Sequence, residues 1–145
     1  REARDRLKVL NECQLDILIS GTIDDKKQIS WWSICKKYPF IKEFAIEVMR
    51  NKFILSDYVI SHIDYIHFFE EKSTIDSSLL DLTDSTRKKQ EQVIFRMLRE
   101  ASILDKENRI KPITLAKRVV DALSPDKPDS FLVFPITDTD LRGYI

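Results

Sequence analysis

LTDSTRKKQEQVIFRMLREASILDKENRIKPI, residues 82–113, is the stretch whose reading decides the fold. Its first five residues, Leu82 to Thr86, form a polar turn in which Thr83, Asp84 or Ser85 can each cap a helix. A long helix is then predicted to about Ser102. After it, the short apolar flanks of ILDKENRIKPI (Ile103 to Ile113) enclose the turn Asp105-Lys106-Glu107-Asn108, a small β-hairpin signal without a glycine. Ile75, Leu79 and Leu80 suggest a short helix just before the turn. Helix, turn, long helix and hairpin in that order make the layout of a winged helix, with the long helix for recognition and the hairpin as its wing.

Outward from this stretch the chain reads as mainly α. Residues Glu2 to Ser20 set Leu7, Leu10, Gln14, Ile17 and Leu18 on one helical face, with Gly21 as the C-cap. Asp24-Asp25 is expected to cap a second helix through Trp31 and Trp32 to Tyr38, which Pro39 breaks. A third helix is predicted over Phe40 to Lys52, and Ser56 or Asp57 is expected to cap a fourth that carries Val59, Ile60, Ile63 and Ile66 to Glu71. Thr114 should cap a further helix through Leu123, and the tail FLVFPI reads as a short strand or extended segment. The expectation is a compact helical bundle in two parts. Residues 1–72 form a helical subdomain, residues 73–145 a winged-helix-like one, and Lys72-Ser73-Thr74 is the hinge.

Composition narrows the function. The 145 residues are 43% apolar and 33% charged, enough for a core under a charged surface. Only two glycines argue against glycine-rich phosphate loops, dinucleotide fingerprints and most all-β folds. No apolar run approaches the roughly 20 residues of a membrane-spanning helix, and the charged start does not read as a signal peptide. Cys13 and Cys35 lack a CxxC spacing, so a disulfide framework or zinc site is not indicated; inert core thiols in a reducing cytoplasm are expected. Since the chain starts with Arg, a preceding segment is expected. No cofactor is called for.

The net charge is zero, but it is unevenly spread. Residues 1–52 carry +3, residues 53–84 carry −6, residues 85–118 carry +6 and residues 119–145 carry −3. A partner feels the local field within about 8–10 Å, not the total. On a wheel of about 100° per residue from Lys88, the positions Thr86, Gln90, Val93, Ile94, Met97, Leu98 and Ala101 fall between about 140° and 280°, the expected buried face. Ser85, Lys88, Lys89, Gln92, Arg96 and Arg99 fall between about 0° and 100° and expose four cations, two neutral hydrogen-bonding groups and no acid. Cations for phosphates and neutral polar groups for base edges suit a DNA-facing helix. Arg87 at the helix start, with Lys106, Arg109 and Lys111 of the wing, completes the candidate surface. A solvated helix face is the competing reading, although such faces usually mix both signs.

Catalysis has little behind it. His62 and His67 lie five apart, off a common helical face, and read as structural or surface histidines. The acids of 53–84 lack the spacing of a calcium loop and are expected to lie away from the basic face. Trp31-Trp32 marks either core or a partner surface.

Three stretches carry a family likeness: WWSICKKYPFIKEFAIEVMRNKF, DLTDSTRKKQEQVIFRMLREASIL and FLVFPITDTD. Together they resemble the BrxA family of BREX phage-defence operons. Its members tend to carry a Trp-rich helix, an F-A-x-E-V segment, an L-T-x-S-T-R-K-K helix start, an L-R-E-A helix end and a late F-P pair. Here these are Trp31 and Trp32, Phe44 to Val48, Leu82 to Lys89, Leu98 to Ala101 and Phe134-Pro135. The chain departs from the pattern at Ser102, where the family has glycine, and in lacking a helical segment before the part matching Arg6 to Leu10. Members have been regarded as inner-membrane proteins, against which this composition argues. The resemblance implies a small, non-enzymatic, DNA-binding component acting beside methyltransferase, phosphatase-like and ATPase proteins. The alternative is an adaptor that docks other defence proteins through the acidic block and the Trp pair.

Overall fold

Asn11, Thr22, Ser61 and Thr83 set the frame of the computed structural model, which describes residues 6–145. Each sits in extended backbone and accepts the amide of the residue three ahead, which satisfies one of the free donors at a helix start. At the first three, Gln14, Asp25 and Asp64 reach back to the cap amide and close a capping box. The helices that follow are α1 (Glu12–Ser20), α2 (Ile23–Lys37), α5 (His62–Ile75) and α6 (Asp84–Glu100). Between α2 and α5, Pro39 opens α3 (Pro39–Phe44), which runs through a π-helical stretch (Ala45–Arg50) into α4 (Asn51–Ile54). A 3-10 turn (Ser77–Asp81) joins α5 to α6. After α6 come α7 (Lys117–Leu123), a second 3-10 turn (Ser124–Asp126), α8 (Asp129–Leu132) and α9 (Asp138–Tyr144).

Several boundaries differ from expectation for identifiable reasons. The first helix, anticipated from Glu2, is interrupted before Asn11, whose side chain caps α1; Glu2 itself lies outside the described residues. Residues 57–60 are extended instead of helical, because Ser61 and not Asp57 supplies the cap. Helix α5 continues to Ile75, so Lys72-Ser73-Thr74 lies inside a helix. Thr114 does not cap α7; its N-cap is Ala116, without a side-chain bond. The tail FLVFPI begins as the short helix α8, not as a strand.

Extended backbone is sparse. Two antiparallel bridges, Leu104 to Ile110 and Val59 to Arg109, remain isolated without a continuous ladder. Asp105 N–H donates to the Arg109 carbonyl at 3.0 Å and Lys111 N–H to the Ile103 carbonyl at 2.8 Å. From the other side, Ile60 N–H donates to the Asn108 carbonyl at 3.1 Å and Ile110 N–H to the Tyr58 carbonyl at 2.6 Å. The segment before α5 therefore flanks the reversal that follows α6. Two residues make that reversal with left-handed backbone: Ser102 (φ 63°) ends the last turn of α6 and Asn108 (φ 61°) closes the turn. Asn tolerates this region better than most residues, which lets the turn close without a glycine.

One connected core ties these elements together. On one side Phe44, Phe68, Phe69 and Phe95 interlock α3, α5 and α6, with Phe44 5.2 Å from Phe68 and 6.2 Å from Phe95 between ring centroids. On the other, the indole N–H of Trp31 donates to the Val133 carbonyl at 2.8 Å, and that of Trp32 to Asp126 at 2.8 Å. Both tryptophans are buried, so the pair is core and not a partner surface. Asp126 also accepts from Gln14 Nε2 at 3.0 Å and Lys36 Nζ at 3.2 Å. Burial opposes its ionisation, but these bonds from Gln14, Trp32 and Lys36 prevail and hold the carboxyl below its ordinary range. Cys35 is buried, which pushes its thiol well up, whereas Cys13 is exposed and is not the core thiol anticipated.

Candidate nucleic-acid interface

Helix α6 is positioned by the apolar side it turns inward. Ile94, Phe95, Leu98 and Ala101 are buried, a strip rotated toward α5 from the arc the wheel predicts. Phe95 belongs to it, whereas Thr86 is exposed and Gln90, Val93 and Met97 are half-buried at its margin. The opposite side leaves Ser85, Lys88, Lys89, Gln92, Arg96 and Arg99 exposed together. Arg96 makes a weak i,i+4 pair with Glu100 at 3.4 Å, both side chains well exposed. Among the described residues, Lys88, Lys89 and Arg99 have no carboxylate partner.

The residues after α6 extend this surface. Arg99 Nη1 donates to Asn108 Oδ1 at 2.8 Å and fastens the turn to the last turn of the helix. Asp105 accepts the amides of Arg109 and Glu107, each at 2.9 Å. The Arg109 amide is the main reason its carboxyl titrates below the ordinary value. Lys106, Arg109 and Lys111 are exposed around this turn, and the Arg109 guanidinium lies 5.4 Å from the Tyr58 ring centroid.

Arg87 is placed apart from the others. Its guanidinium sits 4.8 Å over the Phe69 ring and reaches toward the Leu80 carbonyl at 3.5 Å, half-buried between α5 and α6. It lines a cleft of about 610 Å³ with His62, Tyr65, Phe69 and Glu91. Glu91 lies 2.7 Å from His62 Nδ1, so His62 is a surface partner of α6. Burial raises the Tyr65 hydroxyl to about 12, and Glu91 adds to the shift.

Of the acids of 53–84, Asp57 and Asp64 are paired away from this face. Lys52 holds Asp57 at 2.7 Å and Asp64 at 3.3 Å on the α4–α5 side, while Lys72 of the same segment turns to Glu43 and Glu47 of the α3 stretch. Only Glu70 and Asp84 share a cleft with Lys88. Among the described residues, no group of three or more His, Cys, Asp or Glu side chains is arranged to hold a metal ion, and no helix is long and apolar enough to cross a membrane.

Sequence reasoning passed over Lys26 and Lys27. They stand at the start of α2 and line a cleft with Arg96 and Glu100 of α6. The positive balance of residues 1–52 was the available signal, but nothing in the pattern said which helix it would join.

The family model BrxA matches residues 1–127. The BREX protein BrxA of Bacillus cereus (strain H3081.97) is 32% identical over 99 residues, covering 68% of this chain and 50% of its own length. The chain thus spans about half of that relative. The crystal structure of an uncharacterized protein from Magnetospirillum magneticum superimposes with a TM-score of 0.73 at 19% identity, covering 90% of this chain and 67% of that one. That likeness concerns the fold. With a family match over most of its length and a curated relative above 30% identity, the chain belongs to the BrxA family of BREX phage-defence proteins.

Proposed function

We propose that this chain is a non-enzymatic, DNA-binding component of a BREX-type defence system that contacts duplex DNA through the exposed face of α6 and the adjoining turn. The observation that carries the reading is that face itself. Lys88, Lys89, Arg96 and Arg99 point out together with Ser85 and Gln92, and among the described residues the only carboxylate paired with any of them is Glu100. A helix that presents cations and neutral hydrogen-bonding groups has what phosphates and base edges require.

The order of elements supports the same reading. A helix (α3 to α4), an extended segment bridged to Arg109, two helices (α5 and α6) and a reversal follow one another, as in a winged helix. In this reading the reversal at 103–111 is the wing, and Lys106, Arg109 and Lys111 reach phosphates beside the groove that α6 enters. The winged unit then begins near Pro39, earlier than the division at residue 73. Arg87 acts through its packing on Phe69 and not through DNA. Other BREX proteins, the methyltransferase, phosphatase-like and ATPase components, are proposed partners in the cytoplasm.

A second reading, an adaptor without DNA contact, has one observation in its favour. Between residues 54 and 80, Leu55, Ile63, Ile75 and Leu80 are exposed among the acids. Titration of labelled duplex DNA across a salt series separates the two. A phosphate-binding protein loses affinity with a log–log slope of about −0.9 per neutralised phosphate, and an adaptor shows no duplex binding to lose.

A further inference from the structure

The basic surface does not stop at the edge of α6. Where α2 passes the C-terminal half of α6, an open cleft of about 450 Å³ is lined by Lys26, Lys27 and Ser30 of α2 and by Arg96 and Glu100 of α6. Lys26 is exposed, and Lys27 donates to Ser102 Oγ at 3.0 Å. Among the described residues neither lysine has a carboxylate partner. Arg6 lines the same cleft. On its far side Lys27 borders a second cleft, shared with Lys111 and Asp24. Lys26, Lys27 and Lys111 therefore continue the row of cations from Arg96 around the end of α6. Glu100 and Asp24 are the acids beside this row.

We infer that Lys26 and Lys27 of α2 form a second phosphate-binding arm, so that one duplex is gripped both by α6 and by the helix packed beside it. The inference rests on the DNA reading of α6 given above. Geometry favours it because Arg96 belongs to both the exposed face of α6 and the cleft, so a backbone laid along α6 runs directly into Lys26. A lysine is suited to the task as a strongly hydrated point charge on a flexible stem. Charge favours it too, since the exposed pair between Arg96 and Glu100 is weak and readily exchanged for phosphate. Glu100 then acts against binding. A carboxylate inside a phosphate path repels it.

The test is duplex binding by the 145-residue chain as wild type, Lys26→Ala with Lys27→Ala, Lys88→Ala with Lys89→Ala, and Glu100→Gln, each across a salt series. The Lys26/Lys27 variant is expected to fold, to bind more weakly, and to show a slope shallower by about 1.8, roughly 0.9 per lost contact. Lys26→Gln with Lys27→Gln, which removes the charge but keeps a polar side chain and most of the aliphatic stem, is expected to behave the same way. Glu100→Gln is expected to bind more tightly than wild type at equal salt. If the Lys88/Lys89 variant is impaired while both Lys26/Lys27 variants fold and keep the wild-type slope, the arm is refuted and the α6 reading stands. If wild type binds no duplex, both fall.

Discussion

Arg99 on the last turn of α6 donates to the side chain of Asn108 at 2.8 Å, and Asn108 itself holds left-handed backbone at φ 61°. One residue thus both makes the turn and ties it to the helix. The bond sets the distance between the cations of α6 and those of the turn, which any DNA contact through both requires.

The backbone part of that relationship predicts an order of stabilities. Asn108→Gly and Asn108→Ala both lose the bond to Arg99, but only alanine meets the left-handed penalty of about 1–2 kcal/mol. Urea unfolding should therefore find Asn108→Ala the less stable of the two by about 1 kcal/mol once glycine's own entropic cost is counted. Equal stability would mean the turn relaxes to another conformation.

Arg87 and Lys88 are neighbours in sequence with opposite expected behaviour. Arg87 lies over Phe69 with its stem packed between α5 and α6, so Arg87→Ala should cost about 0.5–2 kcal/mol. Lys88 is exposed and has no carboxylate partner among the described residues, and Lys88→Ala should stay within about 0.5 kcal/mol of wild type. In DNA titrations the effects reverse: Lys88→Ala makes the salt slope shallower, and Arg87→Ala leaves it unchanged. An Arg87→Ala protein as stable as wild type but impaired in binding would contradict the assignment.

Asp126 gives a pH dependence with a definite sign. Its carboxyl is held below the ordinary value although burial opposes ionisation, because Gln14, Trp32 and Lys36 all donate to it. A group whose pKa is depressed on folding stabilises the protein above its unfolded pKa of about 3.9, and that stability is lost as pH falls through the folded value. Asp126→Asn should therefore be destabilised at pH 7, with the gap to wild type narrowing below about pH 4. Thermal unfolding at pH 7, 4 and 3 measures it. A gap that widens on acidification would show that Asp126 is not held ionised.

Much of the frame was legible in local sequence because it is locally encoded. Thr83 and Pro39 announce the starts of α6 and α3 through capping and fixed backbone geometry, and the exposed row Lys88, Lys89, Gln92, Arg96 and Arg99 follows from helical period alone. What was not legible depends on neighbours distant in the chain. Arg87 turns inward because α5 offers Phe69 as a surface. The run Phe131 to Ile136 resembles a strand because it is apolar throughout, yet it is apolar since Trp31 and the surrounding core enclose it, and a run buried on all sides has no period to read. Lys26 joins Arg96 only when α2 packs along α6. Ser102 was equally hidden: its φ of 63° is a conformation that glycine adopts without strain and that nothing in the local pattern announces.

The most direct test of the central claim is the salt dependence of duplex binding by wild type and by the triple variant Lys88→Ala, Lys89→Ala, Arg96→Ala, followed by fluorescence anisotropy. Leu98→Ala serves as the control from the buried side. It should lose on the order of 2–5 kcal/mol of stability, while the protein that remains folded keeps the wild-type slope. The account predicts that the triple variant folds, binds more weakly, and has a slope shallower by about 2.7, roughly 0.9 for each phosphate contact removed. A triple variant that folds and binds duplex as tightly as wild type at every salt concentration would contradict it.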